Sequence, residues 1–304
     1  MIDSLSLCFK MMAKSYFNVD IDADIFEKHD SDSEDIDVVF DECSEIRENV
    51  GAAMELMMVD VVDYAKEPFY VPENVLFHYP ELRNRYFVLR HGQSTANVRK
   101  VVVSDPKIGI PGFGLTDLGK DQVEKSAMNF LLDKKKRMKQ LINVVGEEEA
   151  FRILKGDDFS DNNTIVLSSD FRRTMETADL LVRSLGLKKP VNAVKALRER
   201  YFGEYDMLEE EAYGKVWSRD RYDYASTDKG VESVASVLAR STALVKLVER
   251  MQSGKNVFLV THGDLGQVLE TGFHKMNPSL HRDLTNLKNA EIREMWINPL
   301  MQRG

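Results

Sequence analysis

Two histidines, several arginines and a glutamate stand where short apolar segments of this chain end. His91 follows RYFVLR (85–90), and Arg172 and Arg173 come after TIVLSS (164–169). Arg198, Glu199 and Arg200 follow VNAVKAL (191–197), and His262 comes just after NVFLV (256–260). These residue types suit transfer of a phosphoryl group. Guanidinium forks match phosphate oxygens and keep their charge. A neutral imidazole can attack phosphorus, and a carboxylic acid can protonate the leaving oxygen. The two cysteines, Cys8 and Cys43, both lie near the N-terminus, so no thiol is available as nucleophile beyond them. They read as ordinary thiols, and no metal-ligand spacing is visible.

The apolar segments imply the elements that must hold these residues. RYFVLR, TIVLSS, VNAVKAL and NVFLVTHG (256–263) read as strands, with EIREMWI (291–297) as a last one. Between them, helical patterning covers 115–145 with Thr116 as N-cap, 171–186 up to Gly186, 231–254 up to Gly254, and 264–276. Strands alternating with helices predict a three-layer α/β/α fold around a mainly parallel sheet. In such sheets ligands bind beyond the carboxyl ends of the strands, which is where the residues above stand.

Residues 1–80 differ in character and read as an acidic, partly disordered extension before a domain at 81–304. HDSDSEDIDVVFDE (29–42) is a solvated acidic run. Val50, Met54, Met57 and Val61 form a helical stripe, and VPEN (71–74) with Pro80 reads as an extended linker. The 304 residues are 43% hydrophobic and 30% charged, with a net charge of −9. That balance argues against nucleic acid as the main partner, because a phosphate backbone calls for a basic face. No apolar stretch is long enough to span a bilayer, so the expectation is a cytoplasmic protein without a membrane partner.

The order of the blocks resembles the histidine phosphatase superfamily, in its phosphoglycerate-mutase-like branch (branch 1). Arg90-His91-Gly92, with Asn97 at the family spacing, is similar to its signature tripeptide. Gly114-Leu115-Thr116-Asp117-Leu118-Gly119, Ser168-Ser169-Asp170-Phe171-Arg172-Arg173-Thr174, Leu197-Arg198-Glu199-Arg200 and Val260-Thr261-His262-Gly263 follow in family order. Alone, His91 would read as a structural histidine; the ordered blocks reverse that. The resemblance covers about residues 83–304. It implies that His91 is the nucleophile, Glu199 the proton donor and His262 a further catalytic residue. Arg90, Gly92, Asn97 and Arg173 bind the phosphoryl group, with no cofactor and no metal. Arg172 reads as a surface neighbour, Glu199 has an ion pair with Arg198 or Arg200 as its alternative role, and Arg200 stays open. His274 and His281 read as structural or surface residues.

Three departures bear on the reaction. Ala96 stands where mutases of the family carry tryptophan. Glu204-Tyr205-Asp206-Met207 replaces a glycine-containing stretch, and Asp264 replaces a small residue after His262-Gly263. The first two favour a phosphatase acting on a phosphate monoester over a mutase, and Asp264 adds a charge that could narrow the substrate range. A mutase and a non-catalytic phospho-ligand binding module are the alternatives. The substrate is a small phosphorylated molecule or a phosphoprotein, and the sequence leaves its identity and the oligomeric state open.

Overall fold

The structure, a computed structural model, describes residues 71–149 and 159–297. The acidic run at 29–42, the stripe at 50–61 and both cysteines lie outside the described residues. Five strands form one sheet: β1 (Arg85–Arg90), β2 (Thr164–Ser168), β3 (Asn192–Ala193), β4 (Asn256–Thr261) and β5 (Ile292–Met295). Their spatial order is β3-β2-β4-β1-β5. The pairs β1–β4, β2–β4 and β2–β3 are parallel, and β5 closes the edge antiparallel to β1.

Side-chain alternation along β1 explains the layers. Phe87 and Leu89 point to one face. There they join Phe258, Val260, Val166 and residues of helices α3 (Asp117–Val145) and α4 (Arg172–Ser184), with Phe130 and Phe159 packed at the margin. Tyr86 points to the other face, meeting Phe273 of helix α7 (Gly263–His274) and donating to Glu249 of helix α6 (Val234–Met251) at 2.9 Å. Helices therefore cover both sides. Shorter helices α1 (Thr95–Arg99) and α2 (Pro106–Gly109) follow β1, and α5 (Ala212–Asp220) precedes α6.

The register fixes the site. Arg90 pairs with Thr261 and Ser168 with Val260, so β1, β4 and β2 end level with one another. His91, His262 and Ser169 therefore leave the sheet side by side. Two N-caps hold the chain there: Thr116 accepts from the Gly119 N–H, as its position predicts, and Ser94 forms a reciprocal capping box with Asn97.

Two expectations change, and one departure from the family pattern takes an unusual backbone. The third strand is two residues long instead of covering 191–197. After Val194 donates the last ladder bond to Ser168 O, the chain turns through a short 3-10 segment (Lys195–Leu197), closed by the Leu197 N–H on Val194 O. That turn carries Glu199 over the strand ends. Residues 71–80 are not a free linker: the compact unit begins at Val71. Leu76 is fully buried, Asn74 Nδ2 donates to Gly272 O, and Lys275 Nζ donates to Tyr79 O. Met207, in place of glycine, nevertheless keeps a left-handed backbone with φ of 62°. Its N–H is held by Val102 O, and Asp206 beside it accepts from Ser104. These bonds offset a steric cost of roughly 1–2 kcal/mol for a side chain in that region.

Candidate active site

His91 is buried at the end of β1, and the bonds of its ring fix its tautomer. Nδ1 lies 2.8 Å from Gly92 O, a group that can only accept, so Nδ1 carries the proton. Nε2 is left with its lone pair, and this accepts from Arg173 Nε at 3.2 Å. Burial, with the charges of Arg173 and Arg90, holds the His91 pKa well below its ordinary value. The ring is thus neutral, with its nucleophilic nitrogen facing a cation.

His262 is fully buried and has the opposite tautomer. Its Nδ1 lies 3.0 Å from Arg173 Nη2, a donor, so Nδ1 accepts. Nε2 then carries the proton and donates to Ser169 Oγ at 2.9 Å. Burial, then Arg173 and His91, push its pKa well below the ordinary value too. The two imidazoles stand 5.3 Å apart between ring centres, and Arg173 bridges them. Ser169, which orients the second histidine, was visible in the sequence only as part of a motif block, without a role of its own.

Arg173 enters from the first turn of α4. It also donates from Nη2 to Val103 O at 2.9 Å and packs over the Phe171 ring. Its buried Nη1 has no hydrogen-bond partner, and the same is true of Arg90 Nε. Burial lowers the Arg173 pKa to about 10, so it remains charged at neutral pH. Arg90 is held through Nη1 to Leu287 O at 2.6 Å. Orphaned guanidinium N–H groups in a buried site are costly unless an anion satisfies them. Asn97 accepts through Oδ1 from the Ser94 N–H and hydroxyl, which turns its amide nitrogen away from that loop. The amino end of α7 starts at Gly263 beside these groups and adds its positive dipole end.

Glu199 has neither of its alternative partners. Arg198 pairs with Asp170 through two bonds of 2.8 and 2.5 Å, and Arg200 with Asp220 through two of 2.6 and 2.8 Å. Glu199 Oε1 accepts from the Arg200 and Leu265 backbone N–H groups, which leaves Oε2 to carry a proton. Burial raises its pKa, with the charge of Asp264 adding to the rise and Arg173 opposing it. The shift is in the direction a proton donor needs.

Gly92 stands where the chain leaving β1 meets the start of α3. Its N–H is taken by Thr177 Oγ1, and a Cβ there would stand 2.4 Å from Gly119 O. Glycine is required because β1 and the first turn of α3 meet at that point. Asp264 lines the cavity, as its place after His262-Gly263 led one to expect, but it is enclosed by partners. It is buried, accepts from Trp217 Nε1 at 2.8 Å, and faces Arg200 at 3.4 Å and His281 at 3.5 Å. The nearby His281, Arg200 and Arg282 outweigh burial and keep its pKa far below the ordinary carboxylate range. His281 is fully buried in this network, and Arg172 pairs at the surface with Glu176.

A cavity of about 240 Å³ adjoins these groups, lined by Arg90, Asn97, Glu199 and Gly263 together with Tyr213, Trp217 and Arg282. Ala96 is one of its walls. Among the described residues no group of three or more His, Cys, Asp or Glu side chains is arranged to hold a metal ion. No helix among them is long and apolar enough to cross a membrane.

The fold and site define an α/β protein with two neutral histidines joined by a buried arginine beyond the ends of parallel strands. The model of the histidine phosphatase superfamily (branch 1) matches residues 145–299, and the chain belongs to that family. The chain is 28% identical over 159 residues to phosphoglycerate mutase-like protein 4 of Arabidopsis thaliana, covering 50% of this chain and 66% of that protein. It is 25% identical over 129 residues to the 2,3-bisphosphoglycerate-dependent phosphoglycerate mutase of Cytophaga hutchinsonii, covering 40% of this chain and 61% of that enzyme. The chain thus spans just under two thirds of the length of these curated relatives. A solved structure described as mycobacterial hydrolase 1 shares the fold, with a TM-score of 0.51 at 23% identity over 69% of this chain and 87% of that one.

Proposed function

We propose that the protein hydrolyses a phosphate monoester through a phosphohistidine on His91. The observation that carries this reading is Arg173. It bridges a neutral His91 and His262 and holds a buried N–H free, while Glu199, a carboxyl group with a raised pKa, lines the adjoining cavity. When the substrate enters, Arg173 passes its Nε–H from His91 to a phosphoryl oxygen. Nε2 of His91 then attacks phosphorus, a P–N bond forms and the P–O ester bond breaks. Glu199 gives its proton to the departing alkoxide. Arg90, Arg173 and Asn97 stabilise the charge on the phosphoryl oxygens, and His262 holds Arg173 in place through Nδ1. Water next attacks the phosphohistidine, Glu199 takes back a proton, and phosphate leaves. No step of this scheme calls for a metal.

Ala96 supports hydrolysis over group retention, because a small side chain there leaves room in the cavity wall for water. The similarity to mutases favours the second reading, transfer of the phosphoryl group within the substrate. One experiment separates them: phosphate release across a panel of phosphorylated metabolites and phosphopeptides, with His91→Ala as control. Hydrolysis predicts free phosphate that the variant does not produce. Isomerised phosphoglycerate appearing faster than free phosphate would favour the mutase. Binding without turnover of any compound would leave only a binding module.

A further inference from the structure

Helix α5 carries part of the cavity wall. Tyr213 and Trp217, one turn apart, stack with ring centres 5.0 Å apart and planes 9° from parallel. Phe202 meets Tyr213 edge-on at 4.8 Å. Trp217 is fixed in turn by Arg282, 3.7 Å over its other face, and by its bond to Asp264. The Tyr213 ring is therefore clamped on several sides. Its hydroxyl nonetheless has no hydrogen-bond partner among the described residues, although the side chain is half-buried and lines the cavity. Glu199 and Arg90 line the same cavity as Tyr213. Burial, reinforced by Glu199, raises its pKa, and the group stays an O–H donor. A rigidly held donor with no protein acceptor, facing a site built for an anion, is the arrangement that stabilises developing negative charge.

We propose that Tyr213 is a further catalytic residue: its hydroxyl donates a hydrogen bond to a non-bridging phosphoryl oxygen while the group moves from the leaving oxygen to His91 Nε2. Tyr213 keeps its proton throughout, and Glu199 supplies the one that the leaving oxygen takes. This assignment rests on the reading of the site given under Proposed function.

The test is Tyr213→Phe in the full chain, which removes one oxygen and keeps the stacked ring. Loss of one preorganised donor is expected to lower kcat/KM by about a hundred- to a thousandfold. The loss should be the same for p-nitrophenyl phosphate and for an alkyl phosphate, because the contact is to the transferred group. The inhibition constant of orthovanadate, which mimics the five-coordinate phosphorus, should rise by the same factor. The melting temperature should not change, since no protein hydrogen bond is lost. Values of kcat/KM and vanadate inhibition within about twofold of wild type would overturn the assignment while leaving the phosphatase reading intact. A lowered melting temperature with unchanged vanadate binding would show a structural role and overturn it as well. A wild-type protein that releases no phosphate from any ester would overturn the phosphatase reading, and this assignment with it.

Discussion

Exchange of Glu199 for glutamine is expected to lower kcat on an alkyl phosphate by about 10²–10⁴, the usual contribution of a positioned general acid. The variant keeps the shape of the side chain and its acceptor oxygen, so the Arg200 and Leu265 N–H groups stay satisfied. What it loses is the proton. The loss should be much smaller for p-nitrophenyl phosphate, whose leaving group departs as a stable anion. The pH profile gives a second readout. The active state needs His91 neutral and Glu199 protonated. His91 has its pKa lowered, so activity falls only when the pH drops through that low value. Glu199 has its pKa raised, so activity persists above the ordinary carboxylate range and is lost as the pH rises through the shifted value. In Glu199→Gln the alkaline limb should vanish while the acid limb stays. Equal losses on both esters with an unchanged alkaline limb would remove Glu199 from the role of acid.

Arg173→Met is expected to cost more, about a thousandfold or greater in kcat/KM. It removes several donors at once, and one such donor alone can be worth about 10²–10³. It also removes the cation between the two imidazoles. A positive neighbour lowers a histidine pKa, so its loss should raise those of His91 and His262 and move the acid limb of the profile to higher pH. Arg173→Lys should restore little. A single ammonium cannot reach His91, His262 and Val103 O together, as the planar fork does. Recovery of most of the activity with lysine would mean that charge alone matters at this position.

The sequence made the strand ends legible, and with them most of the site. RYFVLR, TIVLSS and NVFLV are short, apolar and β-branched or aromatic, and nothing in the fold competes with that preference. Their parallel register then brings His91, Arg173 and His262 together, as the resemblance implies. What was not legible depends on contacts between distant residues. VNAVKAL has strand-like composition, yet only two of its residues pair, because the Leu197 N–H closes a 3-10 turn on Val194 O and the chain bends away from the sheet edge. Helix α5 gave little signal among its charged neighbours, although Tyr213 and Trp217 stand four residues apart on one face. Asp264 looked like a charge added to a pocket, because the Trp217, Arg200 and His281 that enclose it lie 47, 64 and 17 residues away in the chain. Gly92 was legible only as part of the phosphoryl-binding block; that a Cβ there would stand 2.4 Å from Gly119 O depends on a contact the sequence does not show.

The central claim is that His91 carries the phosphoryl group. The most direct measurement is rapid quenching during turnover of a ³²P-labelled monoester, followed by mapping of the label on the protein. The account predicts label on His91, stable to alkali and labile to acid as a P–N bond is. It also predicts that label from p-nitrophenyl phosphate accumulates in Glu199→Gln, where water lacks its base, and is absent in His91→Ala. Turnover that never labels His91, or that continues at the wild-type rate in His91→Ala, would contradict it.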